Sequence, residues 1–180
     1  MNKELTFEQI KEQFSNPDWT SELLSNCYLE PSDRAKSTMY IIDQLASRDS
    51  SIRYIASLMI IRFDIHDAVE PLIERILDKD TKNSNGTMAF ALEDLNCENH
   101  LVKVFEILAT QSYESKCHAY NILNEQEFKF TEVDIHEMNK ILNNAERNKE
   151  ENQIFDNETL EMIKDGYEGF EQYLIESERK

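Results

Sequence analysis

Ala68-Val69-Glu70-Pro71-Leu72-Ile73-Glu74-Arg75-Ile76-Leu77-Asp78 is the stretch on which the fold turns. Its apolar residues Val69, Leu72, Ile73 and Ile76 fall at i, i+3, i+4 and i+7, the spacing of one face of an α-helix. The same set recurs on either side. Thr38, Ile41, Ile42 and Leu45 come 31 residues earlier, and Leu101, Val104, Phe105 and Leu108 come 32 later. A polar turn follows each set: Arg48-Asp49-Ser50, then Lys79 to Asn85, then Thr110-Gln111-Ser112. A second helix follows each turn, with an alanine near its middle: Ala56, Ala89 and Ala119, 33 and 30 residues apart. Small residues there let two helices approach closely. A period of this length, built from two amphipathic helices, marks an α-solenoid. One such pair cannot bury its own apolar face, whereas stacked pairs share one core.

Composition agrees. The 180 residues suffice for a single domain over 1–180, and they include only three glycines and three prolines. An all-β fold of this size needs many tight turns, and Asn85-Gly86 is almost the only such signal. The expected fold is therefore all-α, with N-terminal capping helices over 1–30, repeats over 31–125 and C-terminal helices over 131–180.

Two segments resemble the HEAT-repeat family. Residues 68–78 look like the first helix of such a repeat, and Asp49-Ser50-Ser51-Ile52-Arg53-Tyr54-Ile55-Ala56 looks like its Asp turn leading into a Val-Arg-x-x-Ala second helix. The likeness covers about residues 33–125. It implies a HEAT-like α-solenoid, a ladder between neighbouring turns in which Asp49 and Arg53 take part, and a concave face lined by the second helices. Later repeats place Gly86 and Lys116 where the arginine would stand, so a broken ladder is expected.

Outside the repeats, Thr6-Phe7-Glu8-Gln9 has the spacing of a capping box, for a short helix to Phe14. Asn16-Pro17 predicts a second N-terminus, with Trp19, Leu23 and Leu24 as its buried stripe. Thr131 reads as the N-cap of a helix bearing Ile135, Met138, Leu142 and Ala145, and Glu146–Gln153 reads as an exposed turn. A last helix carries Leu160, Ile163, Tyr167, Phe170 and Leu174 at alternating spacings of 3 and 4. That stripe must be covered, either by the end of the stack, making this a capping helix, or by a second copy in a short coiled coil.

The formal charge is −17, from 19 basic and 36 acidic residues. Residues 131–180 hold 14 acids against 6 bases, a net of −8, while residues 31–64 hold 4 against 5, a net of +1. Such a surface repels phosphate backbones and anionic lipids, so neither nucleic acid nor membrane is an expected partner. It suits a basic protein, because opposite fields speed encounter; it also serves solubility alone. The opening Met1-Asn2-Lys3-Glu4 has no apolar run, and no stretch approaches the ~20 apolar residues of a membrane span. The three cysteines Cys27, Cys97 and Cys117 form no paired framework, which points to a reducing compartment, the cytoplasm.

Motifs for chemistry are sparse. Cys97, His100, Cys117 and His118 are soft ligands, yet adjacent helical residues point about 100° apart, so no metal site is expected. Asp78-Lys79-Asp80-Thr81-Lys82-Asn83 is rich in oxygen, but Lys82, Asn83 and Ala89 occupy the positions where a calcium loop needs a ligand, a glycine and a glutamate. There is no Gly-x-Ser-x-Gly, no His-Glu-x-x-His and no phosphate-cradling loop. No catalytic residue and no cofactor are nominated.

What remains is a binding face. Phe90 and Tyr120 directly follow the repeat alanines, and Tyr54 precedes Ala56 by two. Arg53, Glu93, Asp94, Asn121 and Asn124 surround them. Aromatics ringed by acids and amides suit a basic protein segment; equally, such aromatics fill space between repeats. The expected function is a non-catalytic, acidic protein-binding module, monomeric when free, of the immunity or inhibitor type that neutralises a basic partner such as a nuclease toxin. A general scaffold is the alternative. A HEAT-like DNA glycosylase ranks third, because it needs a basic groove.

Overall fold

The computed structural model describes the backbone of residues 3–15, 27–152 and 157–178, and the side chains of those residues outside 148–157 and 176–178. The expected helix from Asn16-Pro17, with Trp19, Leu23 and Leu24, lies outside the described residues. The described chain is mostly helical. Among the described residues no helix is long and apolar enough to cross a membrane.

The N-terminal part departs from the all-helical expectation. β1 (Lys3–Leu5) pairs in parallel with β2 (Cys27–Leu29), Leu5 opposite Leu29. In β2, Cys27 and Leu29 are buried while Tyr28 between them is exposed, the period of two of a strand. Three-residue strands are too short to show that period against a helical background. Between them, α1 (Phe7–Phe14) starts at the expected capping box. Thr6 Oγ1 accepts from the Gln9 N–H at 3.3 Å, and Gln9 Oε1 accepts from the Thr6 N–H at 3.0 Å. A further first-turn donor, the Phe7 N–H, goes to Asp33 Oδ2 at 2.8 Å, which ties α1 to the start of the next helix.

The helices that follow come in pairs: α2 (Arg34–Asp43) with α3 (Ser50–Phe63), α4 (Val69–Leu77) with α5 (Gly86–Glu93), α6 (Leu101–Thr110) with α7 (Tyr113–Glu125), and α8 (Glu132–Asn152) with α9 (Asn157–Glu178). Contacts also run between pairs, in two rows. The 3₁₀ turn Gln44–Ala46 after α2 touches α4, α4 touches α6, and α6 touches α8; in the other row α3 touches α5, α5 touches α7, and α7 touches α9. The repeated stripes supply the shared core: Ile41, Leu45, Leu72, Ile73, Ile76, Val104, Phe105 and Leu108 are almost fully enclosed, as are Ala56, Ala89 and Ala119. The first stripe is split, because α2 ends at Asp43 and Leu45 sits on the 3₁₀ turn.

Two details of the C-terminal part differ from expectation. Glu146–Asn152 is helix rather than an exposed turn, so α8 is 21 residues long. Its last turns hold Glu, Arg, Lys and Asn, and extending a formed helix through mostly straight-chain polar residues is easy even without an apolar stripe. At its start Thr131 acts as a donor: its N–H and its hydroxyl both go to Asp134 Oδ2 at 2.8 Å. The stripe of α9 is covered within the chain. Leu160, Ile163 and Tyr167 are buried, Phe170 and Leu174 are half-buried, and α9 lies against α6, α7 and α8.

Candidate functional site

Polar side chains bond the turn inside one pair to the turn inside the next. Arg53, on α3, is 3 % exposed. Its guanidinium donates to the carbonyls of Ser47 at 2.9 Å and Arg48 at 3.1 Å, and to Ser84 in the next turn. Asp49 makes no ion pair with it but caps α3, accepting from the Ser51 N–H at 2.8 Å. Burial, and then the neighbouring Arg75, lower the pKa of Arg53, while Asp49 partly offsets them. Arg53 therefore has no surface to offer a partner, and it drops out of the expected binding face.

Farther along, the amide of Asn85 replaces the arginine. Its Nδ2 donates to the Ile76 carbonyl at 2.9 Å and to Gln111 Oε1 at 3.0 Å, while its Oδ1 accepts from the hydroxyls of Ser112 and Ser115. Gln126 makes comparable bonds at the other ends of these helices, from the end of α7 to the connection between α5 and α6. It donates to the carbonyls of Glu93 and Leu95, and accepts from the Cys97 N–H at 2.9 Å. Where the sequence has no arginine, neutral amides and hydroxyls thus bond one turn to another.

With the turns so fixed, α5 and α7 lie side by side and point the same way. Three contacts share one register of 28 residues. The Glu114 carboxyl lies over Gly86, so close that a Cβ there would stand 2.1 Å from it; the rings of Phe90 and His118 are 5.5 Å apart; and Asn121 Nδ2 donates to Glu93 Oε1 at 2.9 Å. His118 Nδ1 also meets Glu93 Oε1, at 3.0 Å. Beside this row, Tyr54 of α3 is 43 % exposed and Phe90 is 42 % exposed. Tyr54, Ser50 and Ser51 of α3 share a shallow depression of about 340 Å³ with Gly86, Thr87 and Glu114. Asp94, just past the end of α5, and Asn121 of α7 are also exposed. The result is a surface with two aromatic rings in the open, three carboxylates and one histidine.

Tyr120 and Asn124 do not belong to this surface. The Tyr120 hydroxyl donates to Asp165 of α9, and Asn124 lines a separate groove with Asp165. That hydrogen bond is the main reason the Tyr120 pKa is raised. The expected set is therefore split three ways: Arg53 in the turn seam, Tyr54, Phe90, Glu93, Asp94 and Asn121 along α3, α5 and α7, and Tyr120 with Asn124 toward α9.

The soft ligands are dispersed as well. The Cys97 thiol is enclosed, within 3.7 Å of the Leu92 and Leu95 carbonyls, and burial pushes its pKa up to about 12. His100 pairs with Glu70 at 3.2 Å and His118 with Glu93. Among the described residues no three of His, Cys, Asp and Glu stand together as a metal-ligand set. Asp78 uses both its oxygens locally, on Arg75 Nη1 at 2.6 Å and on the Asp80 N–H at 2.9 Å.

Sequence reasoning passed over Asn85, Gln126 and the aromatics Phe128 and Phe130. The signal for the first two was only a polar residue in or just beyond a turn. For the second two it was a pair of phenylalanines two apart in a stretch without helical period. Comparisons with family models, with curated proteins and with solved structures found no match to the chain.

Proposed function

We propose that this chain is a non-catalytic protein-binding module, built as a HEAT-like stack of helix pairs, whose α3–α5–α7 surface takes a basic protein segment. The observation that carries this reading is the exposed Phe90 and Tyr54 beside Glu93, Asp94 and Glu114, on rigid helices held in register. Exposed aromatics among carboxylates favour a partner rich in Lys and Arg, because the rings supply desolvated contact and the acids steer approach. The two rows of helix contacts, and the polar bonds joining turns 26 to 33 residues apart, support the HEAT-like arrangement. The charge of −17 supports an inhibitor or immunity role in the cytoplasm against a basic toxin such as a nuclease, whose nucleic-acid site an acidic surface would block.

The test is affinity capture from native lysate at low and high salt, with wild-type protein and with the double variant Tyr54→Ala, Phe90→Ala. The expected result is one basic protein retained at low salt, released at high salt and lost by the double variant. Retention of DNA in place of basic proteins, or a partner indifferent to both substitutions, overturns the proposal.

A further inference from the structure

The groove at the other end of the row has a chemistry of its own. It encloses about 480 Å³ between the end of α7, the strap of residues 126–130 and the middle of α9. Pockets of this size accept a side chain or a small ligand. Phe128 and Phe130 of the strap and Phe170 and Tyr173 of α9 form its aromatic wall. Phe170 is the hub, 5.7 Å from Phe128 and 5.3 Å from Phe130, both edge to face, and Tyr173 stands 5.9 Å from Phe130. Tyr173 is 65 % exposed, so the wall opens to water.

The charge of the lining has one sign. Glu127 and Asp165 line the groove, and no lysine or arginine does. The strap's one cation, Lys129, is held by Glu98 at 2.9 Å, and Lys164 beside Asp165 is held by Glu146 at 2.7 Å. The Tyr120 hydroxyl donates to Asp165 and fixes that carboxylate at the rim.

The groove is also built in advance. The three bonds of Gln126, together with the Lys129 N–H to the Glu98 carbonyl at 2.7 Å, lock the strap to the turn between α5 and α6. Gly169 then lies in the interior of α9, where glycine costs about 1 kcal/mol relative to alanine. At Gly166 a Cβ would make ordinary contact with Leu108, Phe105 and Leu123 at 3.5 to 3.7 Å. At Gly169 a Cβ would meet nothing within 4 Å, and the open space belongs to the groove.

The geometry points to a binding site for an arginine side chain of a partner protein, its guanidinium lying against the Phe128, Phe170 and Tyr173 rings and facing the Asp165 and Glu127 carboxylates. Aromatic faces attract cations, and the flat guanidinium both stacks on rings and pairs with carboxylates, which a compact ammonium does less well. The inference rests on the partner-binding reading only in taking its cation from a protein, since it uses none of the residues on the α3–α5–α7 surface.

The test is an NMR titration of the full chain with a capped Gly-Gly-Arg-Gly-Gly peptide, beside the same peptide carrying citrulline, which keeps the shape and removes the charge. Saturable shifts of the Phe128, Phe170 and Tyr173 ring signals are expected with arginine, and binding at least about tenfold weaker with citrulline. Gly169→Leu fills the groove from a position with free space, so it abolishes the shifts without lowering the melting temperature. Tyr173→Ala, at an exposed site, weakens binding several-fold. Equal binding of both peptides, or shifts that survive Gly169→Leu, overturn the inference. So does their loss in the Tyr54→Ala, Phe90→Ala variant, which would place the site on the other surface. Partner capture can fail while this titration succeeds, and the reverse, so the two readings stand or fall separately.

Discussion

The junction between α5 and α7 is bridged by contacts along its length, whereas the next junction in the same row, between α7 and α9, opens into a groove. At the bridged junction three contacts keep one register, and Asn85 bonds across the turns at its start. At the open one the connecting chain is not a tight turn but a strap, held back by Gln126 and Lys129, with Gly166 and Gly169 facing it from α9. Both junctions use polar side chains to satisfy turn backbone. What differs is where those side chains reach: Asn85 pulls the following pair inward, while Gln126 pulls its own strap back toward the preceding turn. The same helix-on-helix packing thus yields a bridged seam in one place and a wider groove in another.

The most direct way to break the bridged side is Asn85→Ala. The residue is fully buried and its amide serves four partners, so several buried groups would be left without bonds. A loss of about 3 kcal/mol is expected in urea unfolding. A loss under about 1 kcal/mol would mean that apolar packing alone holds the junction.

Gln126→Ala acts on the open side and is expected to cost less, about 2 kcal/mol, because the residue is only half-buried and water can replace part of its bonding. Its signature is local. The Cys97 N–H loses its acceptor, and the nearby thiol becomes easier to reach. In the wild type, alkylation at pH 8 should modify the half-exposed Cys117 at least about a hundredfold faster than Cys97. Gln126→Ala should narrow that ratio; an unchanged ratio would show that the strap does not guard the turn.

Cys97 also makes stability depend on pH. Burial raises its thiol from 9.0 to about 12, so the folded chain keeps a proton that the unfolded chain gives up. Its contribution is complete below about pH 9 and is lost as the pH rises toward 12. The urea midpoint should therefore fall between pH 8 and 10.5, and Cys97→Ala should flatten part of that slope. An identical slope in the variant would refute the assignment.

The smallest effect is expected from Gly169→Ala. With space for the methyl and a better helix former in place, stability should rise by about 0.5 to 1 kcal/mol, read as a higher melting temperature. A fall would mean that the groove closes on Gly169 in solution.

The helix stripes and their alanines were legible because periodic burial writes itself into periodic sequence: Leu72, Ile73, Ile76, Val104 and Phe105 face inward wherever the helix turns. The capping box at Thr6 was legible for the same local reason. The strands β1 and β2 were not, since three residues hold no period and their pairing joins positions 24 apart, Lys3 to Cys27. The candidate face was legible in its residue types but not in its grouping. Tyr120 and Phe90 occupy matching places after their alanines, yet Tyr120 is drawn to Asp165, 45 residues on, while Phe90 stays in the open.

The chain's own residues determined that it would be helical, acidic and paired along a shared apolar core, because each of those properties depends on composition or on spacing within a few turns. Only the tertiary structure decided that Arg53 would be spent on turn carbonyls, that neutral amides would continue its work, and that Phe128, Phe130, Phe170 and Tyr173 would meet around a groove. Those outcomes depend on which distant groups come within hydrogen-bond or ring-contact range. A side chain's residue type limits the partners it can satisfy, but the packing of whole helices chooses among them.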